Sequence, residues 1–183
     1  MTQPPLPPGG FPPPSGAYPP PPAGALPKGS YTAWITRVAA YLIDGLPVLA
    51  LGGIGPVIIL ATADSDCISE STDLGYGVSC TSEPTTLGLV SLLVFVLAAV
   101  IFFVWNYGYR QGTTGSSIGK SWMKFKVVGE KTGQPIGFGP SLLRQFLHLL
   151  DGMLCNLGYL WPLWDAKRQT FADKIMSTVC LPI

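Results

Sequence analysis

Apolar and polar positions along this chain fall into long blocks instead of alternating. From Val38 to Ala61, twenty-four residues carry one charge, Asp44. Leu87 to Trp105, LGLVSLLVFVLAAVIFFVW, is nineteen residues with none. A helix of about 20 apolar residues crosses the hydrocarbon of a bilayer, so the pattern predicts two transmembrane helices, over about 34–61 and 86–106. Pro47 and Pro56 can kink the first, while Gly45, Gly52, Gly53 and Gly55 allow close helix contact. Trp34, and Trp105 with Tyr107 at the end of the second span, suit an interfacial aromatic belt.

A third block, SLLRQFLHLLDGMLCNLGYLWPLW at 141–164, mixes apolar residues with Arg144, His148 and Asp151. Pro140-Ser141 marks a helix start. One continuous span here would bury Arg144 or Asp151 in lipid and carry Lys167, Arg168 and Lys174 across the membrane. A re-entrant or interfacial pair of short helices, broken near Asn156-Leu157-Gly158, avoids both costs; a plain third span is the alternative. The folded-back form lets Ser177 to Leu181 pair as a strand with Phe125 to Val128. The expected class is therefore an all-α integral membrane fold. It has two transmembrane helices plus a C-terminal re-entrant or third/fourth short helical segment, with a small cytoplasmic β pairing.

Composition agrees with that class. Of 183 residues, 11% are charged and 48% hydrophobic, whereas soluble domains carry about 25% charged residues. A net charge of +1, without a basic run interleaved with aromatics, argues against nucleic acid as a partner. Residues 1–27 differ from the rest: they hold twelve of the nineteen prolines, four glycines and no charge. Such a stretch has few large apolar groups to bury. Residues 1–30 are expected to form a disordered tail of polyproline II character, either a solvated spacer or a ligand for a Pro-binding module. The stretch lacks the basic start and apolar core of a signal peptide.

Loop charges orient the spans. Residues 62–85 contain Asp64, Asp66, Glu70, Asp73 and Glu83 but no Lys or Arg, while residues 107–140 contain Arg110, Lys120, Lys124, Lys126 and Lys131. The positive-inside rule places the second loop and both termini in the cytoplasm, and the first loop outside a plasma membrane. Cys67 and Cys80 both lie in that outer loop. In an oxidising exterior they are expected to close a disulfide worth about 3 kcal/mol by loop entropy. Cys155 and Cys180 read as buried or interfacial thiols, and the lone His148 as a packed polar residue. No cysteine or histidine cluster suggests a metal, and no cofactor is implied.

One stretch mimics a nucleotide site. GSSIGKS at 115–121 has three residues between its first Gly and Gly-Lys-Ser where a phosphate-binding loop needs four, and Thr114 stands where that Gly should be. The longer segment GTTGSSIGKSWMKFKVVGEKTGQPIGFGPSLLRQFLHLLD instead resembles the RDD family of small bacterial membrane proteins. Gly119-Lys120, Val127-Val128 and Leu142-Leu143-Arg144 stand at matching places. Over residues 31–183, Arg37 and Asp44 match the family's first two named charges. The third falls at Asp173 within RQTFADKIMSTVCL. Cys180 departs from the aliphatic residue usual there. Actinobacterial members often carry a Pro-rich tail like this one. The resemblance implies a multi-pass membrane protein without fixing a substrate.

Arg37, Asp44 and Asp173 are the candidate site. Arg37 and Asp44 are seven residues apart, almost two helical turns, and share a face about 10 Å apart along the axis. An unpaired Asp at a helix centre costs about 3 kcal/mol on insertion scales, so Asp44 should face protein or water. The set is either structural, with carboxylates satisfying Arg37, or an ion or substrate site. Two carboxylates beside one guanidinium suit a cation or proton more than an anion. No catalytic constellation appears, so the chain reads as a non-enzyme. Two functions remain: a small transporter of an ion or solute, a homo-oligomer in the bilayer, or a membrane adaptor recruiting a protein partner through its Pro-rich tail.

Overall fold

The apolar blocks become two long antiparallel helices. The computed structural model describes residues 22–23, 26–72, 75–153 and 155–183; most of the expected disordered tail lies outside these. Helix α1 runs Trp34–Thr62 without a break at Pro47 or Pro56, which helices of spanning length tolerate because neighbouring groups satisfy the freed backbone. Strands β1 (Asp64–Thr72) and β2 (Gly75–Glu83) follow as an antiparallel hairpin. This hairpin occupies the region expected to be a loop, and the Cys67–Cys80 disulfide bridges its strands. Helix α2 (Thr86–Phe103) begins at Thr85, whose hydroxyl accepts from the Gly88 amide. It continues as a π-helical segment, Val104–Arg110, and a last turn, α3, Gln111–Thr114. The second helical element is thus eight residues longer than the apolar run indicated, and Arg110 belongs to it instead of to a loop.

Both long helices are apolar enough to span a membrane, and their apolar stretches are mostly not buried inside the protein. They touch where side chains are smallest. A Cβ on Gly55 would lie 2.7 Å from Leu92 Cα, and one on Gly88 would lie 3.1 Å from Ile59 Cα. That close approach is how helices associate where lipid removes the hydrophobic drive.

At the end opposite the hairpin, the chain makes a short helix α4 (Ile118–Trp122) and strand β3 (Phe125–Gly129). Helix α5 (Phe138–Met153) follows, then α6 (Leu157–Leu160), a 3-10 turn at Trp161–Leu163, helix α7 (Phe171–Ile175) and strand β4 (Thr178–Pro182). Strands β3 and β4 pair antiparallel, Phe125 opposite Pro182 and Gly129 opposite Thr178, close to the expected register. Phe125, Val127, Val128 and Val179 belong to the buried apolar core, with Tyr31, Ala40 and Cys180. Ala23 packs on Tyr31, Val128 and Val179, and its carbonyl accepts from the Tyr31 hydroxyl at 3.0 Å. Order therefore reaches into the stretch expected to be a free tail, because Ala23 and Leu26 have an apolar face to cover.

The third block resolves as short helices. Helix α5 is 16 residues long, about 24 Å at 1.5 Å per residue. It begins two residues before the expected Pro140-Ser141 start. The chain breaks after it, with Cys155 and Asn156 left-handed at φ 52° and 61°. Among the described residues only α1 and the α2-to-α3 helix have the length and apolarity of a span. The stripe on α5 is inverted relative to a soluble helix. Ser141, Arg144 and Asp151 are buried, while Leu143, Phe146, Leu149 and Met153 are exposed. Polar-in, apolar-out suits a helix whose outer face meets lipid.

Candidate functional site

Three buried aspartates organise the end of the molecule built from α4, α5, α7 and the β3–β4 sheet. Asp173 is fully buried and ties four elements together. From α1, Arg37 donates Nη1 to Oδ2 at 3.1 Å. From α5, Arg144 reaches Oδ1 with Nε at 2.8 Å and Nη2 at 2.7 Å. From β4, the Thr178 hydroxyl donates to Oδ1 at 2.9 Å. On α7 itself, Asp173 and Thr170 form a capping box, two reciprocal hydrogen bonds that satisfy otherwise orphaned amides. Burial alone would raise the Asp173 carboxyl. The Arg144 and Arg37 guanidiniums overcome it and hold the group well below the usual carboxylate range.

Asp44 belongs to a different cluster. Its Oδ1 accepts from Asn106 Nδ2 at 2.9 Å and from the Gly119 amide at 2.8 Å, and its Oδ2 accepts from the Ser117 hydroxyl. Asn106 sits in the π-helical segment and also accepts from the Ile118 amide at 2.9 Å. A π turn shifts the side-chain register, a device that recurs at functional positions. Here it coincides with Asn106 and Tyr107 turning inward. Gly119 packs so tightly on α1 that a Cβ would overlap the Ala40 carbonyl and sit 3.0 Å from the Asp44 carboxyl carbon. Lys120 completes the cluster, with Nζ 4.0 Å from Asp44 Oδ2, 3.2 Å from Ser117 Oγ and 5.0 Å from the Tyr107 ring centre. Burial, with the Arg144 cation, pushes Lys120 down to about 8 against a smaller opposing pull from Asp44.

Asp151 is the third node. It bonds His148 Nδ1 at 2.6 Å and accepts from the Phe171 amide at 3.0 Å, docking α5 onto the start of α7.

The expected trio is therefore split. Arg37 and Asp173 meet, while Asp44, on the same helix face as Arg37, is engaged by α4 and the π segment. The charge count changes too. Arg144 and Lys120 join Arg37, so the balance no longer favours a cation or proton. Sequence reasoning did not select Asn106, Lys120, Arg144 or Asp151 as site residues. The spacing of Ser141, Arg144, His148 and Asp151, three, four and three residues, was the available signal for a buried polar face on α5. Tyr107, expected at an interfacial belt, is buried, whereas Trp105 is exposed. Of the two remaining thiols, Cys180 is buried and Cys155 exposed.

Between these clusters lies a cavity of about 300 Å³, reached by Arg37, Lys120, Arg144, Gln145 and His148 and walled by aromatic rings that include Tyr41 and Tyr107. Among the described residues, its lining contains no carboxylate. Among the described residues, no group of three or more His, Cys, Asp or Glu side chains is arranged to hold a metal ion.

Comparison with known proteins agrees with the membrane-helix pattern. The "Proline-rich antigen" of Mycobacterium leprae (strain TN) is 54% identical over 159 residues, covering 87% of this chain and 64% of that protein. The "Proline-rich antigen homolog" of Mycobacterium tuberculosis (strain CDC 1551 / Oshkosh) is 54% identical over 158 residues, covering 86% of this chain and 66% of that protein. The chain thus spans slightly less than two thirds of the length of these curated relatives. No solved structure matches it. A model described as the RDD family matches residues 31–177, a stretch holding Arg37, Asp44, Asp173 and every named residue of their two buried clusters except Thr178, and the chain belongs to that family.

Proposed function

We propose that this protein is a small multi-pass protein of the plasma membrane that binds an ion or small solute at the cavity beside Arg37 and Arg144 and moves it across the bilayer. The observation that carries this reading is the cavity itself: ionised side chains are buried around an enterable space next to two helices of spanning length. Buried charge near a membrane is costly, and where it persists around a space it marks a solute path. Two spans enclose little volume, so the transporting unit is a homo-oligomer. The charge contrast between loops puts the clusters and both termini on the cytoplasmic side, with the disulfide-bridged hairpin outside. We assign the chain no enzymatic chemistry and no cofactor.

The test is flux in proteoliposomes of the purified chain, comparing wild type with Asp44→Asn. Ion- or solute-dependent flux that falls in a folded Asp44→Asn protein supports transport. A folded protein without flux for every ion and solute tried overturns it. The Pro-rich stretch supports a second reading, a membrane adaptor whose tail recruits a cytoplasmic partner. That reading requires the partner to dissociate when residues 1–27 are removed, while Asp44→Asn leaves it bound.

A further inference from the structure

The ligand class can be read from the side chains that line the cavity and from the donors they leave unpaired. Arg144 spends its Nε–Nη2 edge on Asp173. Arg37 offers Asp173 only Nη1, and its Nε and Nη2 are buried with no protein partner. Those two nitrogens form the side edge of the guanidinium, a planar fork whose spacing matches two oxygens of a carboxylate or phosphate. Gln145, the next residue after Arg144 and also in the cavity wall, has its Nε2 buried and unpartnered as well. Each buried donor without an acceptor is costly, and here three of them belong to two residues of one cavity. Lys120 adds an ammonium, and no acid is among the described residues that line the space. The carboxylates of Asp44 and Asp173 stand behind these bases, where they hold them in place.

We propose that the cavity binds a phosphate-type oxyanion, gripped by the Nε–Nη2 edge of Arg37 with Gln145 Nε2 and Lys120 Nζ as further donors. This deepens the proposed site and rests on the cavity being where that site takes its ligand. The volume suits one small group. Tyr41, on the wall, is largely exposed on the outer face of α1, so the oxyanion can be the headgroup of an anionic phospholipid entering sideways or a free phosphate. The acids behind the bases offset most of their charge, which makes binding selective for shape more than for charge and modest in strength.

The experiment uses the full chain in neutral detergent and in nanodiscs. One arm titrates inorganic phosphate in calorimetry; the other measures, by native mass spectrometry, retention of phosphatidylglycerol against phosphatidylcholine. Saturable phosphate binding identifies a free-anion site, and selective phosphatidylglycerol retention without phosphate binding identifies a headgroup site; either supports the proposal. Arg37→Lys keeps the charge and loses the fork, and should weaken binding at least about tenfold. Gln145→Leu leaves the Asp173 cluster intact, so folding is retained, and should weaken it about fivefold. Lys131→Gln, exposed and outside the cavity, should change nothing. No binding in either arm, or equal binding by wild type, Arg37→Lys and Gln145→Leu, overturns the proposal. The two readings fail separately: solute flux without anion binding removes the oxyanion site and leaves transport, whereas anion binding without flux removes transport and leaves the site.

Discussion

Among the described residues there are two antiparallel two-stranded sheets, one at each end of the molecule, and they are held together by different forces. Every residue of β2 is exposed, and so are Ile68, Tyr76 and Val78; the hairpin packs substantially on no other described element. A lone hairpin is marginal in water, and the Cys67–Cys80 bond supplies what packing does not. Strands β3 and β4 are shorter, yet Val127, Val128 and Val179 are fully buried, each worth about 1.5–3 kcal/mol of burial. Polar and charged groups clasp that sheet's flanks: Gln169 Nε2 donates to the Thr178 carbonyl at 2.9 Å and Lys167 pairs with Glu130. A shared hydrogen-bond ladder thus says little about stability. What lies against each face decides it, and of the two only the second sheet borders the candidate site.

The strongest way to break the contrast is Asp173→Ala. It leaves two guanidiniums buried without their acid and should cost about 3–5 kcal/mol, read as thermal unfolding of the detergent-solubilised protein. Adding Arg144→Met should restore part of the loss. Ile68→Ala in the hairpin should stay within about 0.5 kcal/mol. Equal losses at the two ends would remove the distinction.

Gly119→Ala comes next. A methyl group there meets the Ala40 carbonyl and the Asp44 carboxyl, and over-packing of this kind costs about 1–3 kcal/mol. The melting temperature should fall and the Asp44 cluster should open first, seen as faster amide exchange at Gly119.

A pH titration sharpens the comparison without mutation. Lys120 is held at about 8 in the folded protein, faced by Asp44, Tyr107, Arg144, Asp173 and the Cys180 thiol. An unfolded Lys keeps its proton to about 10.4. Between these values the unfolded state binds more protons, so stability should rise as pH climbs from about 8 to about 10. Oxyanion binding should weaken over the first part of that range as the ammonium is lost. Lys120→Met should flatten both curves, and an unchanged slope in that variant would show that another group titrates.

The smallest global effect is expected from Cys67→Ser with Cys80→Ser. The loop-entropy contribution of about 3 kcal/mol applies to unfolding the hairpin alone. Amide exchange should accelerate across β1 and β2 while the melting temperature of the rest barely moves. A large drop in melting temperature would mean that the hairpin supports the spans.

The sequence by itself determined the two helices of spanning length, because bilayer thickness sets a length that uninterrupted apolar runs must meet. Local pattern also carried the broken third helical block and the pairing of β3 with β4, where Val127 and Val128 declare a buried strand. It did not carry the β1–β2 hairpin, whose polar residues show no buried face, nor the π turn, whose apolar run reads as ordinary helix. The charge network belongs to tertiary structure. Arg37 meets Asp173 across 136 positions of sequence, and Asp44 meets Asn106 and Gly119 across 62 and 75. Helical spacing could place Arg37 and Asp44 on one face, but it could not tell which element would reach each of them. That was settled when α4 docked against α1 through Gly119 and when α5 turned its polar stripe inward. In both places the desolvation cost of a buried charge is met only by the one arrangement that brings its partners within hydrogen-bonding distance.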